Sequence, residues 1–299
     1  MSTDQPLKTR FMKVKSGRIV IVFFLLIVIT VPLLFPEVRV LFRRNTFPPP
    51  PMLIAHGGSL KMVQDGKEKD FFVTNSLEGL ELKYAAGHQL FEADFNWTKD
   101  NQLVMMHDWG ETYRLYFPNA PKSVPTLEQF ESATMINNLH QLSLPKLNQW
   151  LRDHPNSFIV TDVKVSNVDA LREIVRIDPE LARTRYIPQI YRFEEYEPVA
   201  ALGMKNIILT LYGLDRSKIS DQDILDFVSR HPLYALTMPG WSLLKPATLE
   251  ELKKRKVFVY VHPVLDLKSL MFYRKLGIEG FYCSFLVPKD VAGIDSAAH

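Results

Sequence analysis

The sequence predicts a (β/α)8 barrel that follows a single apolar N-terminal helix. Eight apolar, β-branched runs alternate with stretches of helical periodicity over about 245 residues, which is the pattern and size of a one-domain parallel barrel. A doubly wound open sheet is the alternative, because it shows the same alternation. The eight runs are Met52–His56, Leu90–Thr98, Phe158–Lys164, Tyr186–Tyr191, Asn206–Tyr212, Tyr234–Met238, Val257–Val264 and Gly280–Leu286.

Helix-start signals stand between several of these runs. Residues 75–78 (Asn-Ser-Leu-Glu) predict the start of a helix that ends at Gly87, and residues 220–223 (Ser-Asp-Gln-Asp) predict another. Residues 248–251 (Thr-Leu-Glu-Glu) predict a third. In each case a short polar side chain precedes an apolar periodic stretch and can accept a hydrogen bond from the first helical turn.

Residues Ile19–Phe35 form an uncharged apolar run of 17 residues, near the lower limit of the roughly 17–25 residues that cross a bilayer. Five basic residues precede the run and three follow it, so the positive-inside bias places the N-terminus in the cytoplasm. No small-residue cleavage site follows at residues 36–39, and we therefore expect an uncleaved signal-anchor rather than a cleaved signal peptide. A buried core helix is disfavoured because every face is apolar.

The chain is therefore predicted to be a single-pass membrane protein with four segments. These are a cytoplasmic basic tail (1–18), a transmembrane signal-anchor helix (19–35), a basic and proline-rich linker (36–51) and a barrel domain (52–299) on the periplasmic or extracellular side. Pro48–Pro51 cannot form a helix and predict a stiff, extended spacer that holds the domain away from the lipid.

Charge and cysteine content exclude several classes of function. The net charge of +3 is small, and its excess lies in the two basic clusters that flank the apolar run, so no nucleic-acid partner is expected. Cys283 is the only cysteine, which excludes an intramolecular disulfide and a multi-cysteine zinc site. Its apolar neighbours predict a buried strand position rather than a nucleophile. The sequence does not specify an oligomeric state.

Polar residues occur where predicted strands end, which is where barrel enzymes carry their active sites. His56 ends the first strand, and Gly57 after it allows the backbone to approach a ligand closely. Glu92 and Asp94 are two residues apart on one strand, so their carboxylates face the same side. His107 ends a short apolar run. Two histidines beside an acidic pair indicate acid and base groups that work near neutral pH.

A second pair, Asp162 and Lys164, lies on the third strand with the same two-residue spacing. Inward-facing carboxylates repel one another and are costly to bury unless a cation or protons compensate. With Asp162 as a third oxygen donor, Glu92 and Asp94 predict a site for one divalent cation, Mg²⁺ or Ca²⁺. Lys164 on the inward face is predicted to hold a phosphate oxygen.

The ordered motifs resemble the glycerophosphodiester phosphodiesterase family, within the phospholipase-C-like phosphodiesterase superfamily. The resemblance covers about Met52 to Pro288 and is strongest over its first 60 residues. The motifs that carry it are Ile54-Ala55-His56-Gly57-Gly58, Thr74-Asn75-Ser76-Leu77-Glu78, Phe91-Glu92-Ala93-Asp94, Thr98-Lys99-Asp100, Leu103-Val104-Met105-Met106-His107-Asp108, Leu144-Pro145-Lys146-Leu147, Thr161-Asp162-Val163-Lys164 and Gly277-Ile278-Glu279-Gly280-Phe281.

The resemblance implies a barrel that cleaves phosphodiesters, with one divalent metal held by Glu92, Asp94 and Asp162. It also implies an acid/base pair of His56 and His107, with His107 as the acid.

The chain departs from the family pattern at three positions. Gly57 replaces an arginine, which removes a bidentate phosphate donor, and Thr74 replaces a glutamate. Asp162 is one methylene shorter than the usual glutamate ligand. In addition, an insertion at Ser59–Val73, rich in lysine and aspartate, is expected over the mouth of the active site and predicts an altered substrate pocket.

Three functional hypotheses remain open from the sequence. The first is a membrane-anchored metal-dependent hydrolase; the second is a lyase-type cleavage that gives a cyclic phosphate; the third is an inactive, membrane-tethered binding module. The expected substrate is a phosphodiester small molecule or lipid headgroup, whether a glycerophosphodiester, lysophospholipid, phosphoinositide or envelope glycan. Tyr212, Trp241 and His262 are candidates for lining the pocket, with core or rim packing as the alternative.

Overall fold

The computed structural model describes residues 47–64, 66–163 and 165–294. The predicted tail and anchor helix (1–35) and linker residues 36–46 lie outside the described residues. In the part of the chain that is described, no helix is both long and apolar enough to cross a membrane.

Eleven strands occur in the described residues. They are β1 (Leu53–Ala55), β2 (Leu60–Gln64), β3 (Lys67–Phe71), β4 (Leu90–Trp97), β5 (Leu103–Met105), β6 (Phe158–Val163), β7 (Tyr186–Ile190), β8 (Ile208–Thr210), β9 (Ala235–Pro239), β10 (Val259–Val264) and β11 (Gly280–Cys283).

The helices pack outside and between the strands. They are α1 (Leu77–Ala85), α2 (Glu111–Tyr116), α3 (Leu127–Ser132), α4 (Leu144–Asp153), α5 (Asn167–Ile177), α6 (Pro179–Arg185), α7 (Tyr196–Ala201), α8 (Asp221–Arg230), α9 (Pro246–Lys254), α10 (Leu267–Lys275) and α11 (Pro288–Val291).

The predicted eight-stranded parallel barrel is confirmed. Parallel pairing runs in the order β1, β4, β6, β7, β8, β9, β10 and β11, and β11 pairs with β1 again. This closure excludes the open doubly wound sheet. The remaining strands lie outside the barrel: β5 pairs antiparallel with β4, and β2 and β3 form a separate hairpin.

Two of the three predicted helix starts are confirmed. Ser76 caps α1 by accepting from the Gly79 amide, and Ser220 forms a reciprocal capping box with Asp223 on α8. The third was wrong by three residues: Lys245, not Thr248, is the cap of α9, because Pro246 occupies the first turn and favours helical φ there. Thr248 instead donates to the Asp221 carboxylate at 2.7 Å, which joins α9 to α8.

Alternation along each strand divides the barrel interior into an apolar end and a polar end. On β4, Leu90 packs in the interior cluster, whereas Glu92 and Asp94 follow it on the same face toward the carboxyl end. The same order occurs on β6, where Val160 precedes Asp162. The amino end is thus filled by apolar side chains, and the carboxyl end presents the polar ones.

The last residues of the predicted linker close the amino end of the barrel. Phe47 packs on Phe158 with ring centroids 5.2 Å apart. Tyr260 donates to the Pro51 carbonyl at 2.7 Å, and Tyr234 donates to the Pro48 carbonyl at 3.0 Å. The described part of the linker therefore packs against the barrel, and its stiff, extended conformation stays a prediction.

A second cluster of buried side chains lies beside the barrel and is formed by the hairpin, β5, α2 and α3. Leu60 and Phe71 contribute from the hairpin and pack with Tyr113, Tyr116 and Phe130. The insertion is therefore an ordered part of the fold, with its own apolar contacts.

His88, between α1 and β4, is a buried base that makes the fold sensitive to acid. The side chain is 3% exposed, and burial, followed by the positive charge of Lys83, lowers the pKa of His88 to about 4. Since the unfolded chain binds this proton near pH 6.5, stability falls as the pH drops from 6.5 towards 4.

We predict that His88 alone lowers the free energy of unfolding by about 2 kcal/mol between pH 7 and pH 5. Urea denaturation of the wild-type chain and of His88→Gln at both pH values measures this, because the substitution removes the titrating group. The stability advantage of the wild type should shrink by that amount at pH 5. An advantage independent of pH would contradict a buried neutral His88.

Candidate active site

The structure brings three predicted carboxylates together at the carboxyl end of the barrel. Glu92 and Asp94 extend from β4, and Asp162 extends from the neighbouring position on β6, which is in register with Asp94. One oxygen of each lies within 4.8 Å of the others, and Glu92 and Asp94 are each 2% exposed. This arrangement follows from the two-residue spacing of the sequence and the parallel pairing of β4 with β6.

Each carboxylate is held by a hydrogen bond from a different part of the fold. The Gly57 amide donates to Glu92 Oε2 at 2.7 Å, and Tyr191 donates its hydroxyl proton to Asp162. Asn75 donates to Asp94 Oδ2 at 2.9 Å and accepts from the Asp94 amide at 3.1 Å. Two loops and one strand end therefore fix the direction of the acidic oxygens.

The donor set fits one hard divalent cation. Three carboxylates at this separation repel one another in a buried setting, and a bound cation relieves that repulsion. Burial and the charge of Asp162 raise the pKa of Tyr191 well above its usual value; burial and the charges of Glu92 and Asp162 do the same for Tyr282. Both tyrosines consequently remain protonated donors at neutral pH.

His56 lies directly beside this cluster. Its Nε2 is 3.9 Å from Glu92 Oε2, and its Nδ1 is 3.4 Å from Ser284 Oγ. The His56 amide also donates to the Cys283 carbonyl at 3.1 Å, which places the ring at the point where β1 and β11 end. The side chain is 22% exposed, so one edge reaches the cleft.

His107 is positioned by the loop that follows β5. The Met106 amide donates to the Asp94 carbonyl at 3.0 Å. His107 therefore directly follows a residue that is paired with β4, the strand that carries Glu92 and Asp94. His107 Nδ1 is 2.9 Å from Asp108 Oδ2. Burial opposes ionisation of Asp108, but hydrogen bonds from Thr112, His107 and the Gly110 amide lower its pKa to about 2. Asp108 is therefore charged at neutral pH and its contact orients the His107 ring.

A small cleft opens beside the acidic cluster. Of the pocket candidates from the sequence, His262 and Tyr212 line this cleft together with His56, Glu92 and Asp162. Trp241 is 72% exposed, and its ring centroid is 6.3 Å from that of His262. It therefore stands at the rim, and Tyr212 flanks His262 at the same distance.

Sequence reasoning missed four residues of this cleft: Gln189, Tyr191, Thr210 and Tyr282. All are inward-facing positions at the carboxyl ends of β7, β8 and β11, and Tyr282 donates to Gln189 Oε1 at 3.0 Å. The period-2 alternation that identified Glu92 and Asp94 applies equally to these strands and was the available signal. Lys164 lies outside the described residues, and its phosphate role stays a prediction.

Gly57 occupies a position that has no room for a side chain. Its φ is +56°, and a Cβ there would lie 2.5 Å from Val73 Cγ1 and 2.8 Å from Val73 Cα. Val73 itself has φ of +44°, which is rare for a β-branched residue. The end of the Ser59–Val73 insertion thus fills the space beside His56 in which an arginine side chain would begin.

The insertion hairpin is fastened to the fold on two sides. Tyr116 of α2 donates to the Phe72 carbonyl, and the Phe72 ring packs on Phe285 with centroids 5.0 Å apart. Within the hairpin, Lys61 pairs with Glu68 at 3.3 Å and with Asp70 at 3.6 Å. Lys61 therefore pairs with acidic side chains across the two strands.

Cys283 is fully buried, as predicted, and burial raises the pKa of its thiol to about 12. It stays a protonated core residue at neutral pH.

No family model matches the chain. Solved structures share its fold, however, and three of them are compared with this chain by TM-score, sequence identity and coverage. A glycerophosphoryl diester phosphodiesterase from Parabacteroides distasonis has a TM-score of 0.62 at 15% identity, over 85% of this chain and 89% of the other. A glycerophosphodiester phosphodiesterase from Thermotoga maritima has a TM-score of 0.59 at 17% identity, over 78% of this chain and 94% of the other.

The third is an Oleispira antarctica phosphodiesterase in complex with the product sn-glycerol-3-phosphate. Its TM-score is 0.59 at 13% identity, over 82% of this chain and 97% of the other. This chain has the fold of the glycerophosphodiester phosphodiesterases. The barrel implied by the sequence resemblance is thereby confirmed.

We predict that Gly57→Ala destabilises the fold more than Gly66→Ala does. Both glycines have positive φ, which costs an L residue about 1–2 kcal/mol. In the described residues no atom lies within 4 Å of a Cβ at Gly66, whereas one at Gly57 overlaps Val73, at a further cost of about 1–3 kcal/mol.

Chemical denaturation of the two variants and the wild type gives the comparison. Equal losses of stability would show that Val73 does not confine Gly57.

Proposed function

We propose that this chain is a membrane-anchored, metal-dependent phosphodiesterase that hydrolyses a glycerophosphodiester-like or envelope-derived diester. The observation that carries the proposal is the cluster of Glu92, Asp94 and Asp162 with His56 beside it, at the end of the barrel where active sites form. The shared fold supports the same reaction class, and the glycerol phosphate product bound to the Oleispira enzyme supports a small phosphodiester substrate.

The three carboxylates would hold one Mg²⁺ or Ca²⁺ ion, and the chemistry such an ion supplies when bound is neutralisation of charge on a phosphoryl oxygen. His56 takes a proton from the attacking water, since its Nε2 faces the acidic cluster. His107 protonates the departing alkoxide, and the contact of its Nδ1 with Asp108 holds the ring in position. Lys164 holds a phosphate oxygen in place of the absent arginine.

We further propose that residues 19–35 anchor the chain, with the N-terminus cytoplasmic and the barrel on the extracytoplasmic side. The support is the apolar run and its asymmetric basic flanks. Protease digestion of sealed cells or vesicles tests this, since the barrel should be digested only from the extracytoplasmic side.

We predict that His56→Ala and His107→Ala each lower kcat by about 10²–10⁴-fold. The assay is hydrolysis of a panel of glycerophosphodiesters and lysophospholipids with Mg²⁺, with Ca²⁺ or with EDTA. His231→Ala is the matched control. Its Nδ1 lies 3.1 Å from the Phe227 carbonyl oxygen of α8, on the outer surface of the barrel and away from the cleft. EDTA should abolish activity, and unchanged rates in both site variants would refute the proposal.

The leaving group separates the two histidine roles. A diester with a p-nitrophenolate leaving group needs no proton on departure, so the His107→Ala loss should shrink on that substrate while the His56→Ala loss persists. Incorporation of labelled oxygen from water, without a cyclic product, distinguishes hydrolysis from the lyase alternative.

An inactive binding module is the second candidate. It is favoured because Gly57 stands where the phosphate-binding arginine would be, and Val73 fills the space of that side chain beside His56. Calorimetry with Mg²⁺ or Ca²⁺ and the same diester panel distinguishes the two. Metal binding with no turnover of any diester would support the module.

A further inference from the structure

Helix α10 presents several large apolar side chains on its outer face. Its exposed apolar residues are large, and Phe272 is 57% exposed. On α8 the exposed positions are all polar. The exposed apolar residues of α10 and the turn before and after it are Leu265 (45%), Leu267 (43%), Met271 (39%), Phe272 (57%) and Leu276 (38%).

The only charged residues among the exposed positions of α10 are lysines. Lys268 and Lys275 lie between the apolar residues on the same half of the helix, and the sequence from Leu267 to Lys275 contains no acidic residue. Asp266 precedes the helix and accepts from the Ser269 amide at 2.7 Å as its cap. We call the surface formed by these two lysines and the five apolar residues the α10 face.

The α10 face adjoins the mouth of the candidate active site. Helix α10 follows β10, which carries His262 into the cleft. In the last turn of the helix, the Tyr273 hydroxyl packs on Gly240 so closely that a Cβ at Gly240 would lie 2.2 Å from it. Gly240 directly precedes Trp241, whose ring is 72% exposed. The helix and the rim of the cleft are therefore packed together.

We propose that the α10 face docks on the surface of a bilayer that contains anionic lipids. Apolar side chains interspersed with lysines are the composition of helices that lie in the interface plane. The acidic Asp266, between Leu265 and Leu267, is engaged as the helix cap. Each lysine near an anionic leaflet gains attraction, while Phe272, Met271 and the leucines insert among the headgroups.

A second copy of the chain fits this face less well than a lipid surface does. A two-fold contact would bring Lys268 and Lys275 of both copies into one interface, where like charges repel. An anionic surface instead complements both lysines at once. Because α10 packs against the loop that carries Trp241, docking there holds the rim of the cleft near the headgroup layer. Given the proposed phosphodiesterase activity, this gives the site access to diesters at the membrane surface.

The test uses the full chain, labelled at one introduced cysteine. Cys283 is the only native thiol and is buried, so a new surface cysteine reacts selectively with a fluorophore. Phe272→Cys reports on the α10 face, and Gln222→Cys on the exposed side of α8 is the matched control. Each labelled chain is reconstituted into nanodiscs of phosphatidylcholine alone or with phosphatidylglycerol, both containing a doxyl-lipid quencher.

We expect lipid quenching of the label at position 272 to exceed that at position 222 at least several-fold in anionic nanodiscs, and to weaken in high salt. Lys268→Glu with Lys275→Glu should reduce the quenching at position 272 several-fold; the corresponding glutamine pair repeats the comparison if thermal melting shows the glutamate pair to be unfolded. Equal quenching at the two positions, or no effect of lipid charge, would overturn the proposal.

Two further outcomes would assign the face to another occupant and also overturn the proposal. If the label becomes more buried in detergent as the chain concentration rises, the occupant is a second copy. Protection at every concentration without lipid would indicate a segment of the same chain. The readout requires no catalysis, so a chain that docks without hydrolysing diesters would refute the proposed function and leave this inference intact.

Discussion

Mutual repulsion among Glu92, Asp94 and Asp162 is the constraint on which the arrangement of the site depends. Their oxygens lie within 4.8 Å of one another in a largely buried position, an unfavourable state for three negative charges without compensation. The fold accepts this by giving each carboxylate a fixed donor: the Gly57 amide, Asn75 or Tyr191. These bonds hold the oxygens converged, as a divalent cation requires.

The same constraint connects the site to parts of the chain remote in sequence. Gly57 supplies its amide to Glu92 from a left-handed turn, and Val73 packs against that turn from the end of the insertion hairpin. The hairpin is in turn held by Tyr116 and Phe285. A departure from the family pattern at one residue is thereby accommodated by fifteen inserted residues, Ser59–Val73, that form their own apolar contacts.

The alternation of strands and helices and the acidic pair on β4 could be predicted from the sequence because both depend on local periodicity. Periodicity alone did not distinguish a closed barrel from an open sheet, which the pairing of β11 with β1 decides. Two-residue spacing on a buried strand decides which side chains face inward, and that placed Glu92 with Asp94. The contact of Val73 with Gly57 could not be predicted, since it depends on a positive φ at a valine and on the path of a loop. Tyr191 and Tyr282 carried the same periodic signal, but a tyrosine at a strand end is equally typical of packing. The hydrogen bonds of Tyr191 to Asp162 and of Tyr282 to Gln189 therefore became evident only in the structure.

The central claim is that the three carboxylates form one divalent-cation site, and calorimetric titration of the chain with Mg²⁺ or Ca²⁺ measures it most directly. The account predicts one ion per chain and an increase in thermal stability, equal to about 2.7 kcal/mol at a concentration one hundred times the Kd. Asp162→Asn should weaken binding, while Asp226→Asn, on the exposed surface of α8, should leave it unchanged. Equal affinity in the wild type and Asp162→Asn, or no saturable binding, would contradict the account.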